Sequence, residues 1–470
     1  MSHALLKAWE RTLRRRGPER AVIEAAGAQS CTFRELDDRA VRWVAAHAPA
    51  GPASLSGRAV VFAAANGIGW FEIFIGLLRA GAVIVPLDAS EPPAAQRRLA
   101  EALRAGFWWD GIRLIHLGAA RRFRDARTCL IKLTSGSTGR PRPLVFSAVQ
   151  ILADARQVTA TMGITANDLN YAMIPLGHSY GLGNLTVPLL TRGVPIVIGS
   201  APLPHAVADD FVRWQPTVFP GVPAVWRALA ASDLPAKKMA SLRLAISAGA
   251  PLPSEVARDF NIRFGRPVHA FYGSSETGGI SYDKSGAATL VSGVGRPLRG
   301  VRVTALRGGR IRVRSAAVFT KGNRHWGGSL GSWTPPDRAE IMAGGALFLL
   351  GRRGTTVKIS GRRVNLVEVA GRLQRLPGVR EAWVGVGFGP EPMLGAAVAT
   401  DRPVADLRLE LQIDTASWKI PKKWLALASL PLTARGKTDT RALQARLFGQ
   451  GASVSTASIS SNKSARQISA

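Results

Sequence analysis

The 470-residue chain predicts an α/β protein: a large N-terminal α/β domain over residues 1–350 and a smaller α+β domain over residues 351–449. Three observations predict this. The length exceeds what one small core needs and suits a large core with a satellite. Short β-branched or apolar runs alternate with helical patterns through most of the chain, as strands and crossover helices do. From about Val301 the pattern changes to short strands with Gly-rich turns, and a new strand–helix–strand pattern starts near Gly351.

In order along the chain, residues 1–20 are polar and Arg-rich, and no secretory signal is expected there. The most apolar stretch, Val60 to Val85, is broken by Asn66, Glu72 and Arg79. A spanning helix needs about 20 consecutive apolar residues, so the stretch divides into strand Ala59–Ala63, helix Trp70–Ala80 and strand Ala82–Pro86. Strands follow at Cys129–Thr134, Pro195–Ile198 and Leu242–Ser247, with helices at Ala148–Met162 and Ser254–Phe264. Ser254 and Glu255 stand where a helix start wants a cap and a negative charge. Short strands are expected at Arg310–Val313 and Leu347–Leu350. The small domain then reads as strand Thr356–Ile359, helix Leu366–Leu376 beginning after Asn365, strand Ala382–Val386 and a final helix Thr440–Leu447. Residues 450–470 are rich in Ser and Ala, lack apolar periodicity and are expected to be disordered.

The formal charge of +31 favours polyanionic partners: nucleic acid, anionic membrane, nucleotide cosubstrates or an acidic carrier protein. It equally fits arginines spread over solvated faces. No zinc-finger spacing, RNA-recognition signature or basic zipper accompanies the charge, so no nucleic acid is expected as a partner. The two cysteines, Cys31 and Cys129, match no metal-ligand spacing, and a reduced cytoplasmic setting is the expectation.

The strongest local signal is the run from Leu130 to Arg142. An apolar strand enters Thr134-Ser135-Gly136-Ser137-Thr138-Gly139, and Arg140-Pro141-Arg142 follows. Glycines let backbone N–H groups approach phosphate oxygens, hydroxyls add donors, and a cation offsets charge. No Gly-Lys-Ser/Thr follows the second glycine, so this is not the Walker pattern.

This segment resembles the phosphate-binding loop of the adenylate-forming superfamily: acyl- and aryl-CoA synthetases, peptide-synthetase adenylation domains and firefly luciferase. The family's loop usually ends in Pro-Lys, where this chain has Pro141-Arg142; arginine keeps the charge and changes the geometry. Further motifs follow in family order. Asn66 and the run Ile75–Asp88 resemble the helix and strand ahead of the loop. Ile174-Pro-Leu-Gly-His178-Ser-Tyr180 resembles the element that sets a His or aromatic beside the carboxylate pocket. Ser247-Ala-Gly249-Ala250 resembles the turn lining the adenine and acyl sites. Phe271-Tyr272-Gly273-Ser274-Ser275-Glu276-Thr277 is similar to the signature in which the tyrosine stacks on adenine, the glutamate holds Mg²⁺ and the threonine meets the α-phosphate. Thr334-Pro335-Pro336-Asp337 stands where the family has Thr-Gly-Asp, which makes Asp337 the candidate for the ribose hydroxyls, joined by Arg352. Gly354 stands at the hinge position, Lys358 and Gly361 resemble residues of the thiol-transfer conformation, and Lys437, in Pro431-Leu-Thr433-Ala-Arg-Gly436-Lys437-Thr-Asp439, resembles the lysine that catalyses adenylation.

The resemblance covers residues 20–447 and implies a fold in which the small domain is mobile about the hinge. It implies ATP-dependent activation of a small carboxylic acid, with Mg²⁺, to an acyl-adenylate and pyrophosphate. Transfer to a thiol would follow, either of coenzyme A or of the phosphopantetheine of an acyl carrier protein. His178, Tyr180, Gly249, Ala250 and Gly273 suit an aryl or medium acyl group. No acidic residue flanks His178 to meet an amine, which makes an amino acid the poorer fit. Departures at Arg142, Gly354 and Pro335-Pro336 keep open a catalytically degenerate nucleotide- or nucleic-acid-binding protein.

Overall fold

In the computed structural model the apolar runs become the strands of two sheets with parallel centres. The structure describes residues 4–449 apart from 49, 119–121, 124–127, 135–141, 321–329, 353–355, 360–361, 388–392, 416 and 434–435. Two compact units emerge: the larger comprises Met1–Thr134 and Pro143–Arg353, and the smaller comprises Ser135–Arg142 and Gly354–Ala470.

In the larger unit, one nine-stranded sheet holds Arg20–Glu24, Ile196–Ile198, Asn170–Ala172, Val218–Gly221, Leu244–Ser247 and Val268–Ser274 side by side and parallel. Antiparallel strands close both edges, Gln29–Thr32 on one side and Gly278–Tyr282 with Arg296–Pro297 on the other. A six-stranded sheet runs Leu114–His116, Phe107–Trp109, Ala59–Ala63, Val83–Leu87, Thr128–Thr134, Arg142–Ser147. Its strands Ala59–Ala63 and Val83–Leu87 are almost wholly buried, which is why they read as continuous apolar runs rather than alternating ones. Ligands in such parallel sheets sit beyond the carboxyl ends of the strands, and the candidate residues Thr134, Gly249 and Tyr272–Glu276 all follow or end strands of this kind. A third, antiparallel sheet of Arg302–Leu306, Arg310–Ser315, Gly331–Trp333, Asp337–Ile341 and Leu347–Arg352 completes the unit.

Local chemistry sets the helix ends. Ser147 and Gln150 form a reciprocal capping box before helix Ala148–Met162, and Gly163 ends it in the left-handed region at φ 67°, a conformation that glycine adopts without a Cβ penalty. Thr32 and Glu35 do the same for helix Phe33–His47. At helix Ser254–Phe264 the expectation needs correcting. Pro253 is the N-cap and makes no side-chain bond, while Ser254 lies inside the first turn and accepts from Arg258 Nη2 at 3.2 Å. Helix Ile68–Arg79 begins two residues earlier than expected, directly after Gly67, with the Ile68 N–H donating to Glu24 Oε1 at 2.6 Å.

The smaller unit pairs Thr356–Ile359 with Arg362–Asn365 and builds a three-stranded sheet from Val379–Gly387, Met393–Thr400 and Lys423–Leu427. Helices Leu366–Gln374 and Val404–Asp414 share its main core, through Val369, Leu373, Leu407 and Leu411. Helix Thr440–Phe448 covers another face through Leu443 and Leu447. Among the described residues no helix is long and apolar enough to cross a membrane. Both cysteines are buried and unlinked; burial pushes the Cys31 thiol up to about 11 and that of Cys129 up to about 12.

Candidate active site

The site is built on the turn between two strands of the nine-stranded sheet. Strand Val268–Ser274 ends in Tyr272-Gly273-Ser274, and the next strand, Gly278–Tyr282, runs back beside it. A Cβ on Gly273 would stand 2.7 Å from the Gly278 carbonyl, so the crossing of the two strands requires glycine there. The turn between them carries Ser275, Glu276 and Thr277. The Phe319 N–H donates to the Glu276 carbonyl at 2.6 Å, which holds the backbone and leaves the half-buried Glu276 side chain to other work.

Tyr272 and Asp337, 65 residues apart, meet here: the tyrosine hydroxyl donates to Asp337 Oδ2 at 3.0 Å. Both are buried, at 8% and 7% exposure. Asp337 opens its strand, and the backbone register pairs it with Arg352, so the two ribose candidates are adjacent across a ladder. Pro335-Pro336 leaves the aspartate in this buried position. Thr277 is fully buried, its hydroxyl donating to the Gly278 carbonyl and lying 3.0 Å from Ser274 Oγ. In this conformation Thr277 latches the turn, and the half-buried Ser274 and Glu276 are its more accessible polar groups.

Asn66 positions the His178 segment. Its Nδ2 donates to the Ile174 carbonyl at 2.9 Å and its Oδ1 accepts from the Leu176 N–H at 3.0 Å. Beyond this clamp His178 is exposed, and Ser179 Oγ donates to Ser275 Oγ at 3.0 Å, joining the segment to the Glu276 turn. The Tyr180 hydroxyl faces the Gly221 and Ile246 carbonyls, 3.3 Å from each, at the carboxyl ends of two parallel strands. Gly249 takes φ 88°, where an added Cβ would meet, among the described residues, only Val222 Cγ1 at 3.7 Å, and Ala250 beside it is exposed. Among the described residues the buried Ser247 hydroxyl has no partner.

Thr134 ends the strand before the glycine- and hydroxyl-rich loop, and Arg142 begins the strand after it. Ser135, Gly136, Ser137, Thr138 and Gly139 lie outside the described residues, as do Gly354 and Gly361 and the side chains of Arg352 and Lys358. Lys437 is exposed on a tight turn of the smaller unit. Thr433 N–H donates to the Lys437 carbonyl at 2.7 Å, Gly436 N–H donates to the Thr433 carbonyl at 2.9 Å, and Gly436 takes φ 68°. Asp439 caps the last helix, accepting from the N–H groups of Arg441 and Ala442 at 3.1 and 3.0 Å. In the Thr433–Asp439 motif, then, glycine and aspartate shape the turn that presents the lysine.

Sequence reasoning missed two buried charged residues of the larger unit, of which Asp154 lies against the Glu276–Thr277 turn. Lys132 and Asp154 are each 5% exposed. Burial pushes the Lys132 ammonium below its ordinary value against the pull of Asp154 and, more weakly, Glu276. Burial likewise pushes the Asp154 carboxyl up against the pull of Lys132. The signal was present: a lysine inside an apolar strand, and an aspartate on the buried face of helix Ala148–Met162.

The residues present fit a magnesium nucleotide. Among the described residues the Ser247 hydroxyl has no partner and a Cβ at Gly249 would meet only a methyl of Val222, which leaves a polar margin there, and one carboxylate with phosphate oxygens is a donor set that Mg²⁺ accepts.

A family model described as AMP-binding enzyme matches residues 115–309. The benzoate–CoA ligase of Thauera aromatica is 29% identical over 342 residues, 66% of this chain and 64% of that one. The anthranilate–CoA ligase of Pseudomonas aeruginosa is 28% identical over 350 residues, 68% of this chain and 67% of that one. The chain spans just under two thirds of the length of the first two curated relatives it matches, at 64% and 63%. ATP-bound MatB from Rhodopseudomonas palustris superposes with a TM-score of 0.80 at 22% identity, covering 94% of this chain and 98% of that one. The anthranilate CoA ligase AuaEII with anthranoyl-AMP gives 0.77 at 19%, covering 95% and 98%. The chain is thus similar to AMP-binding enzymes over residues 115–309 and to CoA ligases over about two thirds of its length, and it shares the fold of the superposed structures.

Proposed function

We propose that the chain is an AMP-forming acid–thiol ligase that activates an aromatic carboxylic acid with ATP and passes the acyl group to coenzyme A. The observation that carries the reading is the Tyr272–Asp337 hydrogen bond, which unites two nucleotide candidates from separate sheets. The names of the relatives, benzoate–, anthranilate– and feruloyl-CoA ligases, support an aromatic acid and coenzyme A.

In the first step the substrate carboxylate attacks the α-phosphorus of ATP and pyrophosphate leaves. Tyr272 stacks on adenine, Asp337 and Arg352 hold the ribose, and the Thr134–Gly139 loop with Arg142 cradles the departing phosphates. Glu276 would hold Mg²⁺, which would supply charge neutralisation to the phosphates. Lys437 neutralises charge on the carboxylate and α-phosphate oxygens, and Ser274 completes the polar lining, with Thr277 latching the turn that carries it. Catalysis here is positioning and charge compensation. His178, Gly249, Ala250 and Gly273 border the acid. In the second step a hinge motion about Gly354 withdraws Lys437 and brings Lys358 and Gly361 to the thiol, whose sulfur loses its proton and attacks the acyl carbonyl, so that the thioester forms and AMP leaves.

Pyrophosphate exchange with a panel of aromatic and aliphatic acids tests the reading. Acid-dependent exchange that is lost in Lys437→Ala is the expected result, and hits are then offered coenzyme A and, separately, phosphopantetheinylated carrier proteins. Absence of exchange with every acid would overturn it.

A further inference from the structure

The Asp154 carboxylate stands against two elements, the one that follows the Glu276–Thr277 turn and the one that follows Tyr180, and its environment is built for it. Asp154 projects from helix Ala148–Met162, the helix that follows the phosphate-loop hairpin. Its Oδ1 accepts the Gly279 N–H at 2.9 Å, two residues beyond Thr277. A Cβ on Gly278, at φ 69°, would stand 2.3 Å from Oδ1, and a Cβ on Gly183 would stand 3.2 Å from Oδ2. Glycines on two separate elements therefore make room for the carboxylate. Gly183 belongs to a π-helical turn, Leu182–Thr186, directly after the His178–Tyr180 segment; such turns are rare and often stand at functional sites. The opposite charge comes from Lys132, two residues before Thr134 on the strand that enters the phosphate loop. Its ammonium lies 4.6 Å from the centre of the Phe146 ring, on the strand that leaves the loop.

A purely packing role would be filled more cheaply by apolar residues, because desolvating two charges costs several kcal/mol per ion and a hydrophobic replacement is often neutral or stabilising. What the charged groups add is direction: Asp154 fixes the N–H of Gly279, while Lys132 sets its ammonium over the Phe146 ring and so joins the strands on either side of the loop. We propose that Lys132 and Asp154 are positioning residues that hold the phosphate-loop strand and the Glu276–Thr277 turn in register for the magnesium nucleotide. The proposal rests on the ligase reading above. Neither side chain touches the reacting atoms; both act through the backbone and through the turn carrying Glu276.

The test uses the full chain with Lys132→Met and Asp154→Asn combined, and separately with Gly183→Ala. The double variant leaves no buried charge unpaired and keeps an oxygen acceptor for Gly279. Its thermal unfolding is measured beside ATP binding by calorimetry with and without Mg²⁺, and beside the KM values for MgATP and acid in pyrophosphate exchange. The expected result is a double variant that unfolds close to the wild-type temperature, binds MgATP about tenfold more weakly and keeps its KM for the acid. Gly183→Ala shifts MgATP binding the same way by a smaller factor. A folded double variant with wild-type MgATP affinity, or with equal losses for nucleotide and acid, overturns the proposal. If the double variant does not fold, unchanged MgATP affinity in Gly183→Ala overturns it. A wild-type chain that binds no MgATP sinks the ligase reading itself, whereas normal wild-type binding with unaltered variants sinks only the positioning role.

Discussion

Replacing Tyr272 by phenylalanine deletes one oxygen and keeps the ring, so it separates the two jobs assigned to this residue. The hydroxyl donates to Asp337 Oδ2 at 3.0 Å with both side chains more than nine-tenths buried. A hydrogen bond to a charged group is worth roughly 1.5–3 kcal/mol net. With a urea slope of about 3 kcal/mol/M, the unfolding midpoint of the larger unit falls by roughly 0.5–1 M. Because the ring remains, stacking on adenine persists and any loss of nucleotide affinity reports the misplaced Asp337 carboxylate. Tyr272→Leu removes both functions and serves as the comparison. The assay is urea unfolding followed by tryptophan fluorescence, paired with calorimetric ATP binding. A phenylalanine variant with a wild-type midpoint and wild-type ATP affinity would refute the argument, since the bond would then contribute nothing to either.

Further outcomes follow from other contacts. Asn66→Ala removes both bonds that clamp Ile174 and Leu176; a loss of about 1–3 kcal/mol and a raised KM for the acid are expected, checked by unfolding and exchange kinetics. Asp439→Ala uncaps helix Thr440–Phe448 at a cost of about 1 kcal/mol, and loosening the adjoining Lys437 turn lowers kcat more than it changes the KM for ATP. The buried thiols titrate above their unfolded value, so the native state keeps protons that the unfolded chain releases. Their stabilisation is full below the unfolded thiol pKa and is lost as pH rises through about 11 for Cys31 and about 12 for Cys129. Cys129→Ala therefore flattens the alkaline fall in stability measured by unfolding at stepped pH. Native protein reacts with a thiol reagent at pH 8 far more slowly than urea-unfolded protein.

The sequence by itself determined most of the local structure. Apolar runs between turn residues located strands Ala59–Ala63 and Thr356–Ile359 and helices Ala148–Met162 and Ser254–Phe264 at their observed bounds, because local periodicity and turn residues dominate there. Tyr272, Glu276, Asp337 and Lys437 were legible as ordered motifs. Helix caps were less so: Pro253 took the position expected of Ser254, since a cap depends on one residue's dihedrals rather than on a pattern. Only the tertiary structure decided which side chains meet. The Tyr272–Asp337 bond, the Asn66 clamp on the His178 segment and the glycine-framed Asp154 carboxylate join residues 65, 108 and 125 positions apart. Such pairings are set by how sheets stack and where strands end, and a buried charge beside two glycines is stable only when the fold has already brought its partners within reach.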